Sequence, residues 1–234
     1  MNYRIETVAI DCLMVRLFDT IDELNMPWML AASQRLRAVF AEDLIDLVPS
    51  YTTLMVQFDL LQLAPEQARE LIREALHNLQ PDNGSGGRQH EIPVWYDLSV
   101  GPELSLLAER CRTTVADIVR RHSEREYQVF ALGFAPGFAF MGLVEEALAA
   151  PRQATPRKRV AAGSVGIAER QTAAYPAVSP GGWNLIGRTP SKLFDRERDG
   201  YSLLQPGDRV RFVAVDRATF INLGGDDTPL EALA

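Results

Sequence analysis

Cysteine is scarce in this chain: 234 residues hold two, Cys12 and Cys111, and no C-x-x-C pair. That excludes a disulfide scaffold and fits a reducing compartment. Histidine is almost as rare, with only His77, His90 and His122. Without an H-E-x-x-H run or a Cys/His cluster, no dedicated metal site is expected. Positive charge is in deficit, since 24 Lys and Arg against 31 Asp and Glu leave a net charge of −7. Nucleic-acid affinity rests mainly on cations that neutralise phosphates, so no nucleic-acid partner is expected, although a local basic patch stays open. No apolar run reaches the length of a membrane span, so no membrane partner is expected. The start, Met1-Asn2-Tyr3-Arg4-Ile5-Glu6, has an early acid and no apolar stretch, unlike a signal peptide. The expected location is cytoplasmic. Neither G-x-x-x-x-G-K-[ST] nor G-x-G-x-x-G occurs, which excludes a standard nucleotide-binding loop.

What is present is an ordinary globular composition, 47% hydrophobic and 24% charged, enough for a real core. Val8–Phe18 reads as a strand, and Pro27 opens a helix to about Phe40. Leu44–Val48 and Thr52–Phe58 read as strands separated by Pro49-Ser50. Pro65 sits where a first helical residue belongs, and Ala68, Leu71, Ile72, Ala75, Leu76 and Leu79 follow at helical spacing. After a loop over Pro81–Gly87 that reads as flexible, Glu91–Tyr96 is another strand. The order β-α-β-β-α-β predicts a ferredoxin-like domain over residues 1–97. A helical connector is expected over 98–126, where Thr114 and Asp117 look like a capping box. Val115, Ile118, Val119 and His122 follow at i, i+3, i+4 and i+7. From Tyr127 to about 220, short apolar runs between glycines and prolines predict an all-β barrel or sandwich. Residues 221–234 read as a tail, loosely held from Gly224 onward. The fold class expected is α+β.

Three segments are dense in glycine, proline and aromatics: Gly133–Gly142, Pro156–Ile167 and Tyr175–Pro190. Such strings fix unusual backbone angles and build rigid loops. They are either tight barrel turns or the lining of a cleft that holds an anion on backbone N–H groups. Arg157, Lys158, Arg159 and Arg188 place positive charge beside them, suited to a carboxylate or phosphate. The alternative for each is an ordinary ion pair or solvated face. His122 is the best general acid or base, although burial on an apolar stripe is the commoner fate of a lone histidine. Ser164 in Ala162-Gly163-Ser164-Val165-Gly166 lacks the first glycine of a nucleophile elbow and precedes a strand. Its hydroxyl is therefore read as a substrate hydrogen-bonding group rather than a nucleophile.

These strings resemble a family whose members are variously called the 5-oxoprolinase B subunit, allophanate hydrolase subunit 1 and sporulation kinase inhibitor. The residues that carry the resemblance are His122, Tyr127, Gly133-Phe134, Pro136-Gly137-Phe138, Pro156-Arg157, Gly163-Ser164-Val165 and Gln171. It continues through Tyr175-Pro176, Pro180-Gly181-Gly182-Trp183, Ile186-Gly187-Arg188-Thr189, Pro206-Gly207-Asp208 and Val210-Arg211-Phe212. The match is densest over 92–215. Departures are mild: Ala161 stands where the family has proline, Phe140-Met141-Gly142 replaces Tyr-Leu-Gly, and Thr172-Ala173 replaces Thr-Gly.

The resemblance implies a cyclophilin-like barrel as the second domain. It also implies two partner proteins, a C-type subunit (allophanate hydrolase subunit 2-like) and an A-type subunit. Such complexes hydrolyse 5-oxoproline to glutamate with cleavage of ATP, and the location of the ATP site among the three proteins stays open. Substrate contacts are expected from Phe134, Pro136, Gly137, Phe138, Arg157, Gly163, Ser164, Gln171, Pro180, Gly181, Gly182, Trp183 and Arg188, with His122 relaying a proton. The family's other labels keep two alternatives in view, an inhibitor of a sensor histidine kinase and a component of a urea- or allophanate-degrading system.

Overall fold

The computed structural model of the chain describes residues 2–82 and 87–230. Two compact units divide between Gly86 and Gly87. In the first, β1 (Arg4–Ala9), β2 (Cys12–Arg16), β3 (Leu44–Pro49) and β4 (Thr53–Phe58) form one antiparallel sheet in the order β1-β2-β4-β3. Helix α1 (Met26–Phe40) has a proline in its first turn and packs Met29, Ala32, Leu36 and Phe40 into the core. Helix α2 (Pro65–Leu76) buries Ala68, Ile72, Ala75 and Leu76 and lies against α1. Its start is capped by Gln67, whose side-chain oxygen accepts from the Ala64 N–H at 2.8 Å.

The expected β-α-β-β-α-β order is corrected in two places. The single strand read over Val8–Phe18 is a hairpin that turns at Ile10-Asp11, with Ala9 paired to Cys12. The strand read over Glu91–Tyr96, β5 (Gln89–Trp95), joins the second unit. The place beside β2 is taken by β1 instead. The domain boundary therefore falls before β5 rather than at 97. The expected flexible loop falls largely on 83–86, outside the described residues.

The second unit is built on a closed seven-strand barrel in the order β10-β7-β6-β13-β5-β12-β9. Its strands are β5, β6 (Glu126–Leu132), β7 (Ala139–Gly142), β9 (Ser164–Ala168), β10 (Gln171–Ala174), β12 (Asn184–Arg188) and β13 (Arg209–Val215). A separate ribbon pairs β8 (Arg157–Val160) with β11 (Ser179–Gly181). The β5–β13 pair is parallel and runs in register from Gln89–Arg209 to Trp95–Val215. Asp208 fastens its entry: the nearly buried carboxylate accepts from the N–H groups of Arg88 (2.8 Å) and Gln205 (2.9 Å) and meets His90 Nε2 at 2.9 Å. Ile92, Val94, Val210 and Phe212 then share the barrel core with Tyr127, Val129, Val165, Ile167 and Ile186.

Helices α3 (Leu104–Arg110) and α4 (Val115–Glu124) are not a separate connector over 98–126. Leu104, Leu107, Ala108 and Ile118 belong to the barrel core. Thr114 caps α4 by accepting from the Asp117 N–H at 3.1 Å, as the sequence predicts. The apolar stripe of α4 ends on His122, which has no exposed surface and stacks on Phe212 with ring centroids 4.7 Å apart. The Thr172 hydroxyl donates to the Gly166 carbonyl (3.2 Å), so it accepts from His122 Nε2–H at 2.8 Å. That leaves Nδ1 as acceptor for the Tyr96 hydroxyl at 2.7 Å. The chain of bonds is complete with a neutral imidazole.

The tail is held through residue 230, contrary to its expected looseness. Following α5 (Arg217–Asn222), the carbonyls of Asp226 and Thr228 accept from Arg188 Nη1 at 2.6 and 2.8 Å. The Leu230 N–H reaches the Ser99 carbonyl at 3.0 Å. Residues 231–234 of the expected tail lie outside the described residues.

Burial holds the His122 pKa down at about 3. In the unfolded chain it returns to about 6.5, so between these values the unfolded state binds the extra proton and acid erodes stability. His122→Gln should flatten the fall in unfolding free energy from pH 6.5 toward 3, by up to about 1.4 kcal/mol per pH unit. Denaturant midpoints of both proteins across that range measure it, and parallel pH slopes would refute it.

Candidate functional site

Every residue of β9 and β12 is buried, because both faces of these strands are covered. Val165, Ile167 and Ile186 point into the barrel core. On the opposite face, Ala168 and Leu185 pack in a second cluster with Phe138, Val160, Ala161, Ala173, Tyr175 and Trp183. The dense glycine- and proline-rich segments converge on this outer layer.

A cavity of about 130 Å³ opens there, lined by Phe134, Phe138, Phe140, Arg152, Tyr175, Gly181, Gly182 and Trp183. Phe138 is its hub, edge-on to Phe134 (5.2 Å), Phe140 (4.9 Å), Tyr175 (5.3 Å) and Trp183 (5.6 Å). Such edge-to-face contacts fix ring orientation as well as burying area. Gly181 is dictated by this packing, since a Cβ there would lie 2.3 Å from the Tyr175 hydroxyl oxygen. Burial raises the Tyr175 pKa, so the phenol stays protonated at neutral pH.

Phe134 forms the rim. It is 64% exposed and sits at φ +69°. The Ala135 N–H reaches the Gly133 carbonyl at 2.8 Å, closing a γ-turn around it. Two further bonds, Phe138 N–H to Ala135 O (2.9 Å) and Gly133 N–H to Phe138 O (3.1 Å), hold the turn in place. A positive φ on an aromatic residue costs on the order of 1–3 kcal/mol, a strain typical of functional turns. Arg152 supplies the cation, with its guanidinium carbon 6.0 Å from the Trp183 ring centroid. Its loop is pinned from both sides: Asn184 Nδ2 donates to the Pro151 carbonyl (2.9 Å), and the Gln153 N–H donates to the Gly182 carbonyl (2.7 Å).

The remaining predicted residues lie elsewhere in this unit. Ser164 and Arg188 face each other across the β9–β12 register, 0% and 1% exposed. The Ser164 hydroxyl and Arg188 Nε and Nη2 are buried without a hydrogen-bond partner. Burial lowers the Arg188 pKa, against the opposing pull of Asp226 and Asp227. Arg157 pairs with Glu103, whose other oxygen accepts from the Leu185 N–H at 2.8 Å. Gly137 and Gly163 are turn glycines at φ +82° and +78°. Gln171 begins β10, Pro136 is exposed in its turn, and Pro180 is exposed on β11. His122 has no surface to offer a substrate, so the proton-relay role expected of it gives way to a core role. Among the described residues, no group of His, Cys, Asp and Glu is arranged to hold a metal ion.

Residues 3–204 match the family described as carboxyltransferase domain, subdomain C and D. The chain belongs to this carboxyltransferase-domain family. Curated relatives are named as the B subunit of 5-oxoprolinase, as the sequence resemblance implies. That of Bacillus subtilis (strain 168) is 34% identical over 230 residues, covering 94% of this chain and 96% of the relative. That of Escherichia coli O157:H7 is 41% identical over 199 residues, 82% of this chain and 89% of the relative. Among solved structures, TTHA0988 superposes with a TM-score of 0.77 at 36% identity, over 88% of this chain and 40% of that one. The Kluyveromyces lactis urea amidolyase superposes at 0.74 over 97% of this chain and 16% of that one, and at 15% identity it shows the fold alone.

Within the family's second unit, the predicted set thus splits between the aromatic cavity, the Ser164–Arg188 pair, Arg157 with Glu103, and the barrel core. Phe140, Tyr175 and Arg152 were not among the expected contacts. Tyr175-Pro176 and Phe140 stand inside the dense motifs, which is a usable signal. Arg152 has none, because its place over Trp183 depends on hydrogen bonds that its neighbours Pro151 and Gln153 make with Asn184 and Gly182, in a distant segment.

Glycine tolerates the Phe134 backbone without strain. Phe134→Gly should therefore be more stable than Phe134→Ala by about 1 kcal/mol, since both lose the ring contacts at the cavity rim and only the alanine keeps the strained turn. Thermal and denaturant unfolding measure this, and an alanine variant as stable as the glycine variant would show that the turn is unstrained.

Proposed function

We propose that the chain is the B-type component of an ATP-dependent 5-oxoprolinase that hydrolyses 5-oxo-L-proline to L-glutamate. It acts in the cytoplasm, inactive alone, with C-type and A-type partner proteins. The observation that carries this reading is the aromatic cavity with Arg152 at its edge. Support comes from relatives named for that complex at 34% and 41% identity over most of the chain. The barrel is the domain that the family resemblance describes as cyclophilin-like.

The cavity matches the substrate in kind. 5-Oxoproline is a small ring bearing one carboxylate, and a cavity of about 130 Å³ is well below the size that holds drug-sized ligands. Phe138, Phe140 and Trp183 provide apolar ring faces. Arg152, on the exposed side, is the cation for the carboxylate. Arg157 and Arg188, the cations the sequence favours for this task, are tied to Glu103 and to the tail carbonyls. The loop over Gly181 and Gly182 lets the ligand approach the backbone. In this reading the chain binds and orients the lactam, shielding it from water, while cleavage of ATP supplies the drive for ring opening.

The decisive assay is glutamate release from 5-oxoproline and ATP by the three proteins together and with each omitted. Activity that needs all three supports the reading. Its absence from an assembled mixture would return the kinase-inhibitor and urea-related alternatives. A charge-assisted contact contributes about 1.5–3 kcal/mol, so Arg152→Ala should lower kcat/KM for 5-oxoproline by about tenfold to a hundredfold. Co-elution of the three proteins should be unchanged, and wild-type kcat/KM would refute the role of Arg152.

A further inference from the structure

The aromatic cavity is also lined by Tyr175, whose backbone and ring are both fixed. Its N–H donates to the Ser164 carbonyl (2.9 Å), and its carbonyl accepts from the Gly163 N–H (2.7 Å). The ring lies edge-on to Phe138 (5.3 Å) and Phe134 (6.4 Å). The hydroxyl sits over Gly181, a residue of the cavity wall where a Cβ would come within 2.3 Å of the phenol oxygen. Glycine there leaves room for the hydroxyl at the wall. The hydrogen bonding of this phenol is half complete. The Trp183 N–H donates to its oxygen. Among the described residues, none accepts the phenol's own proton. Burial raises the pKa, so that proton stays in place at neutral pH. Tyr175 is only 1% exposed, so the donor faces the cavity rather than bulk water.

A fixed O–H without an acceptor, at the wall of a small cavity, selects ligands by whether they bring one. The 5-oxoproline ring carries its carboxylate and its lactam oxygen on the two carbons that flank the nitrogen. The ring N–H is itself a donor and cannot serve. Arg152, the cation for the carboxylate, is near enough to Tyr175 to act on it electrostatically. We propose that the Tyr175 hydroxyl donates to the lactam carbonyl oxygen and is the group by which the cavity tells a lactam from a saturated ring acid. The assignment rests on the oxoprolinase reading and adds to it the residue that recognises the amide. The phenol keeps its proton throughout. As a donor it draws electron density toward the oxygen and leaves the carbonyl carbon more open to attack.

The test is isothermal titration of the three-protein complex with 5-oxoproline and with cyclopentanecarboxylate, in the wild type and in Tyr175→Phe. Both ligands have the ring and the carboxylate, and only the first has the carbonyl. Phenylalanine keeps the ring and its edge-on contacts, so the change is confined to the hydroxyl. The wild-type complex should bind 5-oxoproline about tenfold to a hundredfold more tightly than cyclopentanecarboxylate. Tyr175→Phe should remove most of that preference, bind cyclopentanecarboxylate as before, and lower kcat/KM for 5-oxoproline by a similar factor. Arg152→Ala should weaken both ligands alike. A Tyr175→Phe complex that keeps the preference, or that loses affinity for both ligands equally, overturns the proposal. So does a wild-type complex that binds neither ligand. Glutamate release at wild-type kcat/KM by the Tyr175→Phe complex removes the Tyr175 role and leaves the oxoprolinase reading standing. A hydroxyl-dependent preference in a complex that releases no glutamate does the reverse.

Discussion

The parallel ladder between β5 and β13 is the constraint on which the rest of the second unit depends. Asp208 joins Arg88 across 120 residues of sequence, and the two strands then run in register through seven pairs. Closing so long a loop is entropically costly, so the ladder must be fixed firmly at its start. Asp208 does this by accepting from N–H groups on both sides of the junction while its carboxylate is withdrawn from water. With β5 committed to the barrel, the first unit's sheet completes itself with an N-terminal hairpin strand. The Pro206-Gly207-Asp208 string, prominent in the sequence, is thus a structural clasp rather than part of a binding cleft.

A closed barrel has no free edges, so function must be built on its outside or at its ends. Here α3, α4 and the neutral His122 network pack into the barrel core, with α4 against β13. The outer face of β9, β10 and β12 is left to carry an aromatic layer. Covering both faces of β9 and β12 leaves the hydroxyl of Ser164 and two guanidinium nitrogens of Arg188 unpaired. Unsatisfied buried groups of this kind cost about 1–3 kcal/mol each, and the tail carbonyls satisfy only Nη1 of the same guanidinium. The strained turn at Phe134 is a second local cost, at the rim of the aromatic cavity.

Much of this was legible from local pattern. The helix over Pro65–Leu76, the cap at Thr114 and the stripe ending at His122 all follow from spacing that holds within one element. The three glycine- and proline-rich strings mark the outer layer, because rigid turns and wedged aromatics leave a compositional trace. What stayed hidden is pairing over distance. Nothing in Glu91–Tyr96 says whether the strand joins the sheet before it or the barrel after it, since an alternating strand fits either. Similarly, an arginine read singly cannot be assigned to Glu103, a tail carbonyl or a substrate.

The sequence by itself determined the α+β composition, the family, and the short strings that build the aromatic layer, because each depends on residues close together in the chain. The tertiary structure decided that His122 is buried, which cation stands over Trp183, and which strand closes the barrel. Those outcomes turn on burial and on partners brought from distant segments. A side chain's charge state and availability follow from its neighbours in space, and the linear pattern does not contain them.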